Sequence, residues 1–432
     1  RQCNSPLSKA LAHSGSDYRT RRNPERKRMK IRKIVMFVSF AIVAVLATWL
    51  VIPKQKAISE HHNDIDEFIL DVMEEAAIPG MGIAVIRNGN TELIRAYGSA
   101  DIEKKKPATI DTPFNIASIS KPIMGIAILQ LAERGHLNLD DDINTYLPFK
   151  IDHPSASSAH ISIRQLATHT SGIADFYDPK TYSHNADSNI SLKEHVEKLL
   201  VASRSDYYLP NPPGTTREYS NLGAAVAGLI VESTSGQSLS EYSRENIFLP
   251  LGMADTGWLL ADFEGLGGLA VPYEVEQCIP YISICANWKS PIKNGIISEL
   301  FNPPIDYKTF QRHPHYGNPQ YPDGGIRTSI NDLNTLILAL LDSDDGDTVF
   351  SDSLKGEMLA KQLTDDIDER QRFFWRDNLQ GRIGHKGADI GVFSSLYFDP
   401  VKKDAVIIVM NRGVDMASDR AMDKLSRRLW SM

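Results

Sequence analysis

Ser118 and Lys121 have the residue types and the spacing that predict nucleophilic chemistry. They lie three positions apart in "NIASISKPIMGIAILQLAERG" (residues 115–135), at the start of an apolar run typical of a buried helix. Residues three apart on a helix share a face, and a lysine in a partly dehydrated cleft can take the proton of a serine. The helix dipole there also favours a developing oxyanion. The same spacing fits an N-cap followed by a surface lysine, and we interpret its recurrence in "SPIK" (290–293) as chance.

The segments around this pair decide between the two interpretations. "FNIASISK" (114–121) is followed by "QLATHTSGIADF" (165–176), "PPGTTREYSNLGAAVAGLIVESTSGQSL" (212–239) and "IFLPLGMADTGW" (247–258). In this order they closely resemble the serine β-lactamase-related hydrolases, which include class C β-lactamases, D,D-peptidases, D-aminopeptidases and certain esterases. The resemblance covers residues 62–430, and "YSNLG" and "PLGMADT" are its most specific pieces.

The resemblance implies a second catalytic element at "YSN", where Tyr219 and Asn221 match the family pattern. It implies that the Tyr219 phenol lies near Lys121, shares the proton of Ser118 and later protonates the leaving group. It also implies that the Asn221 amide binds a substrate carbonyl or holds Lys121 in place. His169, in "THTSG", matches a family segment that we interpret as structural rather than catalytic.

A third element of the family, Lys or His followed by Thr or Ser and then Gly on an edge strand, is represented by "GHKGADIG". The match implies that Gly387 lets the substrate backbone approach and that the Ala388 N–H joins that of Ser118 in an oxyanion hole. His385 in the first position resembles the peptidase- and esterase-like members more than the lactamases. Lys386 replaces the usual small hydroxyl that helps to bind a substrate carboxylate. Lys386 either acts as a cationic anchor instead or points away and leaves that role unfilled.

Together these residues predict a serine hydrolase that acts on an ester or amide by acylation and deacylation. Ser118 is expected to form the acyl-enzyme, while Lys121 and Tyr219 transfer protons and water releases the acyl group. No cofactor and no metal is implied. The expected substrate is a D-amino-acid peptide or a related compound, as for a D,D-peptidase. The alternatives are a carboxylesterase, a class C-like β-lactamase and a non-hydrolytic penicillin-binding protein of the same fold.

Two strand pairs near the ends of the chain predict the sheet that positions these residues. "MGIAVIRNGNTELIRAYG" (81–98) and "VFSSLYFDPVKKDAVIIVMNRG" (392–413) each contain two β-rich runs around a turn, which predicts a hairpin. The predicted fold class is therefore α+β, an α/β sandwich. In it, an antiparallel sheet built from both termini is flanked by helices and carries an inserted, mainly helical lobe, as in β-lactamases and penicillin-binding proteins.

Helical spacing accounts for most of the remaining sequence. It is found at 61–80 and at 414–432, and residues 118–134 are predicted to form an apolar helix that ends at Gly135. The stretch 160–260 is predicted to be mostly helical, broken by "SGIADF" and "LPNPPGTT". Residues 262–322 are rich in Pro, Gly and aromatic residues without a sustained period, so we expect a long excursion.

The N-terminal residues predict a route to the membrane. Residues 34–52 are 19 positions without a charge, long enough to cross a bilayer as a helix. Residues 1–33 carry 11 Lys/Arg against 2 Asp/Glu, and basic residues before an apolar span stay in the cytoplasm. We therefore expect a basic cytoplasmic leader at 1–33 (or a non-native one) and a transmembrane signal anchor at 34–52, with a cleaved signal peptide as the alternative. A linker (53–60) and the hydrolase domain (61–432) follow.

Both interpretations of the leader place the hydrolase domain outside the cytoplasm. We expect it at a bacterial inner membrane, facing the periplasm or the exterior, or secreted if the leader is cleaved. The expected partners are a small-molecule or peptide substrate and, through the N-terminal segment, the membrane. The whole chain has a net charge of −7 although its leader is basic, and an acidic domain without a basic stripe excludes nucleic acid.

The three cysteines of the chain are too few for a disulfide framework or a metal cluster. Cys278 and Cys285, in "CIPYISIC", either form a disulfide in an oxidising compartment or remain two apolar thiols. The histidines of "HHND" and "HPH" have no partner at metal-ligand spacing, and we interpret them as loop residues.

Overall fold

The structure, a computed structural model, describes residues 65–154, 160–202, 206–278, 285–286, 308–342 and 349–432. These residues belong to one compact unit, Ser59–Met432. The leader (1–33), the expected membrane segment (34–52), the linker (53–60) and the "SPIK" segment lie outside the described residues. Within the described residues, every helix is too short or too polar to span a bilayer.

The strands of the described chain begin near its N-terminal end and return near its C-terminal end. In chain order they are β1 (Gly80–Arg87), β2 (Asn90–Asp101), β3 (Lys106–Pro107), β4 (Phe114–Asn115), β5 (Ser183–His184), β6 (Tyr273–Cys278), β7 (Cys285–Ala286), β8 (Lys308–Arg312), β9 (Tyr316–Gly317), β10 (Arg327–Thr328), β11 (Arg376–Asp377), β12 (Ile383–Asp389), β13 (Val392–Asp399) and β14 (Asp404–Met410). Seven of them form one antiparallel sheet in the order β11-β12-β13-β14-β1-β2-β3. The pairing of β1 with β14, at Met81 opposite Met410, joins the two ends of the chain.

The helices lie on both faces of this sheet and in a lobe between β4 and β11. They are α1 (Ile65–Ala76), α2 (Ser120–Glu133), α3 (Ile163–Ala167), α4 (Leu192–Glu197), α5 (Asn221–Ser235), α6 (Leu239–Ser243), α7 (Ile330–Leu341), α8 (Asp352–Leu359), α9 (Asp365–Asp368) and α10 (Met416–Trp430). This arrangement confirms the predicted α+β class, with a sheet built from both ends of the chain and an inserted helical lobe.

Strand β1 shows why the sheet is buried on both faces. Its side chains alternate, so Met81, Ile83 and Val85 pack in one apolar cluster with residues of α1 and α10. Ala84 and Ile86 face the opposite side and belong to the larger cluster that contains the helices of the lobe. Strand β1 is therefore a continuous apolar run rather than an alternation of apolar and polar residues.

The hairpin between β1 and β2 follows from its turn residues. Asn88 and Gly89 have φ values of 49° and 74°. Positive φ at both central residues gives the turn whose twist matches that of the flanking strands. The predicted hairpin at 81–98 is confirmed, as is the one around "DPVKKD" between β13 and β14.

Helix α2 is the core of the lobe. All of its residues from Ser120 to Leu131 are buried, which is typical of a helix surrounded by protein. It packs against α5 and α8, and the turn that precedes it contacts β12. The start of α2 therefore lies where the lobe meets the sheet.

One sequence expectation was wrong. The stretch 160–260 contains α3 to α6, but much of it between α3 and α4 is irregular chain with the short strand β5. Within the excursion at 262–322, β7, β6 and β8 form a three-stranded sheet that the sequence analysis did not predict. Strand β6 pairs with β8 across a long sequence separation, which no local period reveals. In the β6–β7 pairing, Cys278 lies opposite Cys285, and their side chains lie outside the described residues.

Candidate active site

Ser118 lies in a single 3-10 turn, Ala117–Ile119, that leads into α2 rather than in the α-helix itself. Ala117 has a φ of 46°, a left-handed conformation that costs a residue with a Cβ about 1–2 kcal/mol. The backbone N–H of Ala117 donates to Asn115 Oδ1 at 2.7 Å, and this bond helps to hold the turn. Such strain is typical of functional turns that present a side chain to a cleft.

Lys121 is completely buried and its Nζ contacts three oxygen atoms. It lies 3.1 Å from Ser118 Oγ, donates to Asn221 Oδ1 at 2.7 Å and donates to the backbone carbonyl of Asp323. The amide and backbone carbonyl oxygens can only accept, so they hold two N–H groups of the amine. The remaining tetrahedral direction of Nζ therefore points at the Ser118 hydroxyl.

Tyr219 reaches the same serine from the other side. Its hydroxyl donates to Ser118 Oγ at 3.0 Å, and the centroid of its ring lies 5.0 Å from Lys121 Nζ. The ring centroids of Tyr219 and His169 are 4.4 Å apart. His169 Nδ1 accepts the Ser220 N–H at 3.2 Å, and burial lowers the pKa of His169 well below its usual value. His169 is thus neutral and supports the phenol, in agreement with a structural role.

Asn221 is held by a carboxylate that the sequence analysis did not single out. At the start of α5, Ser220 Oγ accepts the N–H of Gly223 at 2.8 Å as an N-cap. The Asp175 carboxylate accepts the Asn221 backbone N–H at 2.7 Å and its Nδ2 at 3.4 Å. With Nδ2 engaged by Asp175, the amide presents Oδ1 to Lys121. The one sequence signal that could have drawn attention to Asp175 is its place in "SGIADF", a break in the helical pattern.

On β12, alternate side chains face opposite sides of the sheet. His385 and Gly387 face the lobe. The Lys386 ammonium lies against α10, 3.6 Å from Asp419 Oδ1 and 3.8 Å from Asp423 Oδ1. Of the two alternatives for Lys386, the structure therefore shows the one in which the side chain points away from the cleft.

Gly387 is required by the close approach of β12 to the nucleophile turn. A Cβ at this position would lie 2.2 Å from Ile116 O, 2.4 Å from Ser394 Oγ and 3.1 Å from Ser118 N. Ser394 Oγ donates to Ile116 O at 2.8 Å, which ties β13 to the same turn. The backbone of β12 therefore passes directly beside Ser118, and Ala388, the next residue, remains the predicted second N–H of the oxyanion hole.

His385 stands at the cleft in its neutral form. Its Nδ1 donates to the carbonyl of Lys386 at 2.6 Å, which leaves Nε2 as an acceptor. Burial, with the charge of Lys121 as a second cause, lowers the pKa of His385 to about 4. The ring centroid of His385 is 6.3 Å from that of Tyr219. A substrate therefore meets a hydrogen-bond acceptor here and not a cation.

These groups open into a cleft of about 580 Å³ between the lobe and the edge of the sheet. Ser118, Tyr219, Asn221, His385 and Gly387 all line it. Its size is ordinary for a small-molecule or peptide site. The part of the chain that the structure describes contains no group of three or more His, Cys, Asp or Glu residues that could hold a metal ion.

Comparison with protein families identifies the chain. A model described as Beta-lactamase matches residues 65–429, which is most of the sequence. The chain belongs to the Beta-lactamase family. The family resemblance seen in the motifs is thereby confirmed, and the prediction of a serine hydrolase agrees with it.

Curated relatives are similar to the chain in sequence, and a solved structure is similar to it in fold. Protein flp of Staphylococcus aureus (strain N315) is 29% identical over 270 residues, which are 60% of this chain and 52% of that protein. Esterase EstB of Burkholderia gladioli is 33% identical over 226 residues, which are 50% of this chain and 55% of that protein. The chain thus spans about half the length of the curated relatives it matches. The octameric penicillin-binding protein homologue from Pyrococcus abyssi has the same fold, with a TM-score of 0.64, 21% identity, and coverage of 84% of this chain and 76% of that one.

Proposed function

We propose that this chain is a serine hydrolase that cleaves an ester or amide through an acyl-enzyme on Ser118. The observation that carries the proposal is the pair of contacts at Ser118 Oγ, 3.1 Å to Lys121 Nζ and 3.0 Å to Tyr219 OH. A hydroxyl that touches both a potential base and a potential acid, at the wall of an open cleft, is the arrangement that acyl transfer requires. Membership of the Beta-lactamase family supports the proposal.

In the acylation step, which needs Lys121 in its unprotonated form, Ser118 Oγ attacks the carbonyl carbon while its proton passes to Lys121 Nζ. The carbonyl oxygen becomes an oxyanion that the N–H groups of Ser118 and Ala388 stabilise. When the carbon–heteroatom bond breaks, Tyr219 gives its proton to the leaving group and recovers one from Lys121. The products are the acyl-Ser118 ester and a free alcohol or amine.

In the deacylation step, water takes the place of the leaving group and attacks the acyl ester. Tyr219 and Lys121 accept the proton of the water, and Ser118 Oγ is the new leaving group. The serine leaves with a proton from the same pair, so the site returns to its starting state. The two contacts on Ser118 Oγ therefore serve both half-reactions.

The substrate class that we propose first is a peptide or related compound containing a D-amino acid. The basis is the expected location outside the cytoplasm, where peptides of this kind occur in the bacterial cell wall. A carboxylesterase is the second candidate, and two observations favour it: the neutral His385 in the cleft and the 33% identity to Esterase EstB. Hydrolysis of β-lactams comes third, because the Lys386 ammonium is directed at α10 rather than at the position of a substrate carboxylate.

The decisive experiment compares the full chain with its Ser118→Ala variant on three substrates. These are a short-chain nitrophenyl ester, a peptide ending in D-Ala-D-Ala and a chromogenic cephalosporin. Turnover that disappears in Ser118→Ala, together with an acyl adduct on Ser118 by mass spectrometry, is the expected result. Ser290→Ala, at the second Ser-x-x-Lys spacing, is the matched control and should keep full activity. Equal turnover by Ser118→Ala would refute the proposal, and stable labelling without turnover would favour a non-hydrolytic binding protein.

We also propose that the domain faces the exterior of the inner membrane, held by residues 34–52 or released after their cleavage. The apolar run and the basic residues before it support this orientation. If the domain is anchored, protease added to intact spheroplasts should digest it. If the leader is cleaved, the domain should be present in the medium. Full protection of the domain inside intact spheroplasts would refute the proposed location.

A further inference from the structure

Three arginines form a positively charged wall in the same cleft as Ser118. Arg217, Arg370 and Arg376 all line this cleft, and their side chains are 21%, 35% and 33% exposed. None of them belongs to the three family motifs. All three face one carboxylate, Asp368, at distances of 3.3, 3.9 and 2.9 Å.

The charges on this wall do not balance. The Asp368 side chain is only 10% exposed and lies behind the arginines. The other carboxylate at this wall, Asp377, is held by the guanidinium of Arg372 through two hydrogen bonds. The wall therefore carries an excess of positive charge. Burial lowers the pKa of Arg217, and the neighbouring Arg376 charge is the second cause, so the arginines repel one another.

The three arginines contact the protein through Nε, and their Nη groups remain available to a ligand. Arg217 Nε donates to Gln371 Oε1 at 2.6 Å, and Arg376 Nε donates to Asp368 Oδ2 at 2.9 Å. The ion pair of Arg370 with Asp368 also runs through Nε. Within the described residues, the Nη groups of these three arginines make no hydrogen bond to the protein. Paired Nη donors match the geometry of a carboxylate or a phosphate.

The position of the wall relative to the reaction indicates which half of the substrate it meets. Arg217 precedes Tyr219 by two residues, and Tyr219 is the group proposed to protonate the leaving group. Arg217 and Tyr219 line the same cleft and interact electrostatically, so the wall adjoins the group proposed to protonate the leaving group. The third motif does not supply a cation on this side, because the Lys386 ammonium lies against α10.

We propose that Arg217, Arg370 and Arg376 bind an anionic group, a carboxylate or a phosphate, on the leaving-group half of the substrate. The inference rests on the proposed acyl transfer at Ser118 and narrows its substrate class. The anion neutralises the excess charge of the wall and orients the scissile carbonyl toward Ser118. A free peptide carboxylate and a phosphate-bearing alcohol both have this chemistry.

The test uses acetate esters that share one acyl group and differ in the charge of the leaving group. 3-Acetoxybenzoate and 3-acetoxyphenyl phosphate are anionic, and 3-acetoxybenzamide is their neutral counterpart. For the native chain we expect kcat/KM to be at least about tenfold higher for an anionic ester than for the amide. Arg370→Gln and Arg376→Gln should each lose about tenfold on that anionic ester and less than about twofold on the amide. A preference for only one of the two anionic esters identifies carboxylate or phosphate as the preferred group.

The matched control is Arg244→Gln, which removes the same charge from an exposed arginine paired with Glu245 outside the cleft. It should leave all three rates unchanged. Added salt should weaken the preference of the native chain for the anionic esters, because the cleft is open to solvent. Equal rates for the charged and neutral esters in every variant would overturn the anion site and leave the proposed hydrolase intact.

A binding measurement tests the site without turnover. Ser118→Ala is titrated calorimetrically with 3-hydroxybenzoate, with phenyl phosphate and with the neutral 3-hydroxybenzamide. At least one of the two anions should bind more tightly than the amide. Adding Arg370→Gln, the most exposed of the three arginines, should weaken that binding about tenfold while the thermal midpoint stays the same. If neither anion binds better than the neutral amide, the inference is wrong even if the chain proves to be a hydrolase.

Discussion

Asp175 accepts the backbone N–H of Asn221 at 2.7 Å and thereby determines which end of the Asn221 amide faces Lys121. Asp175→Ala should lower kcat about 10- to 100-fold, because the lysine loses an oriented acceptor. It should also cost about 1 kcal/mol of stability, because the start of α5 loses an acceptor. Steady-state kinetics and thermal denaturation measure the two effects separately.

The control for Asp175→Ala is a cap in the same lobe that lies away from the cleft. Ser191 caps α4 through the Glu194 N–H, and Ser191→Ala should lose similar stability without losing kcat. In a double-mutant cycle, Asp175→Ala should add little to Asn221→Ala if it acts through that amide. Additive losses in kcat would contradict the positioning role.

Tyr219→Phe removes the proton that Tyr219 is proposed to donate to the leaving group and keeps the aromatic ring in place. We expect kcat for an amide or alkyl ester to fall about 10²- to 10⁴-fold, because these leaving groups need a proton. A nitrophenyl ester should lose much less, because nitrophenolate leaves without one. The ring that packs on His169 is retained, so the thermal midpoint should stay close to that of the native chain.

The control for Tyr219→Phe is Tyr207→Phe, at a tyrosine whose ring packs edge-on against Phe176. It removes a hydroxyl of the same type and should leave kcat unchanged for alkyl esters and for nitrophenyl esters. An equal loss on nitrophenyl and alkyl esters in Tyr219→Phe would show that the phenol acts on Ser118 but not on the leaving group.

Lys386→Gln should have little effect on catalysis. Its ammonium interacts with two half-exposed carboxylates of α10, and such surface pairs contribute about 0–1 kcal/mol. We expect changes in kcat/KM below about threefold for neutral and anionic substrates alike. A tenfold loss confined to anionic substrates would mean that Lys386 turns into the cleft when substrate binds.

Gly387→Ala should damage the nucleophile turn. The added methyl group would lie 2.2 Å from the Ile116 carbonyl oxygen, a backbone atom that cannot move without the turn. We expect a loss of about 1–3 kcal/mol of stability, with kcat lowered by about 10² or more. The matched control is Gly356→Ala on α8, where the added methyl group would have no atom within 4 Å, and it should be neutral or stabilising. Native activity in Gly387→Ala would show that β12 tolerates displacement from Ser118.

His385 gives a pH prediction with a defined sign. Its pKa is about 4 in the folded chain, below the ordinary value of 6.5, so the unfolded chain takes up this proton first as the pH falls. The stability that neutral His385 provides is therefore present above pH 6.5 and is lost as the pH falls toward 4. Between pH 6.5 and 4.5, the thermal midpoint of the native chain should fall about 2–4 °C more than that of His385→Asn.

The same shift predicts the pH profile of activity. Because His385 is already neutral at pH 6, its titration should not affect kcat/KM near pH 6.5. The native chain and His385→Asn should therefore have the same profile of kcat/KM in this pH range. A step of that kind, present in the native chain and absent in the variant, would place the imidazole pKa at its ordinary value and contradict the buried environment.

Local signals explain which parts of the fold could be predicted from the sequence. The hairpin at 81–98 depends on Asn88 and Gly89, and the helix after Ser118 is a continuous apolar run that ends before Gly135, so neighbouring residues suffice to predict both. The pairing of β6 with β8 depends on residues more than 30 positions apart, and no local pattern reports it.

The same distinction applies to the site. Ser118, Lys121, Tyr219 and Asn221 were found through motifs, and the structure brings them together. Asp175 and the carbonyl of Asp323 were missed because they act through contacts that only the packing of separate segments creates. The arginine wall was missed for a related reason, since Arg217 and Arg376 come from segments more than 150 residues apart and their shared acid, Asp368, lies on the same segment as Arg376.

The pairing of β1 with β14 has a consequence for biosynthesis. Met81 and Met410 are partners across more than 300 residues, so β1 has no neighbour on that side until translation has passed β14. The strand that carries Gly387 is attached to the sheet through β13 and β14, and it too is made late. A ribosome that stops before this hairpin releases a polypeptide with an open strand edge, prone to aggregate and unable to hydrolyse anything.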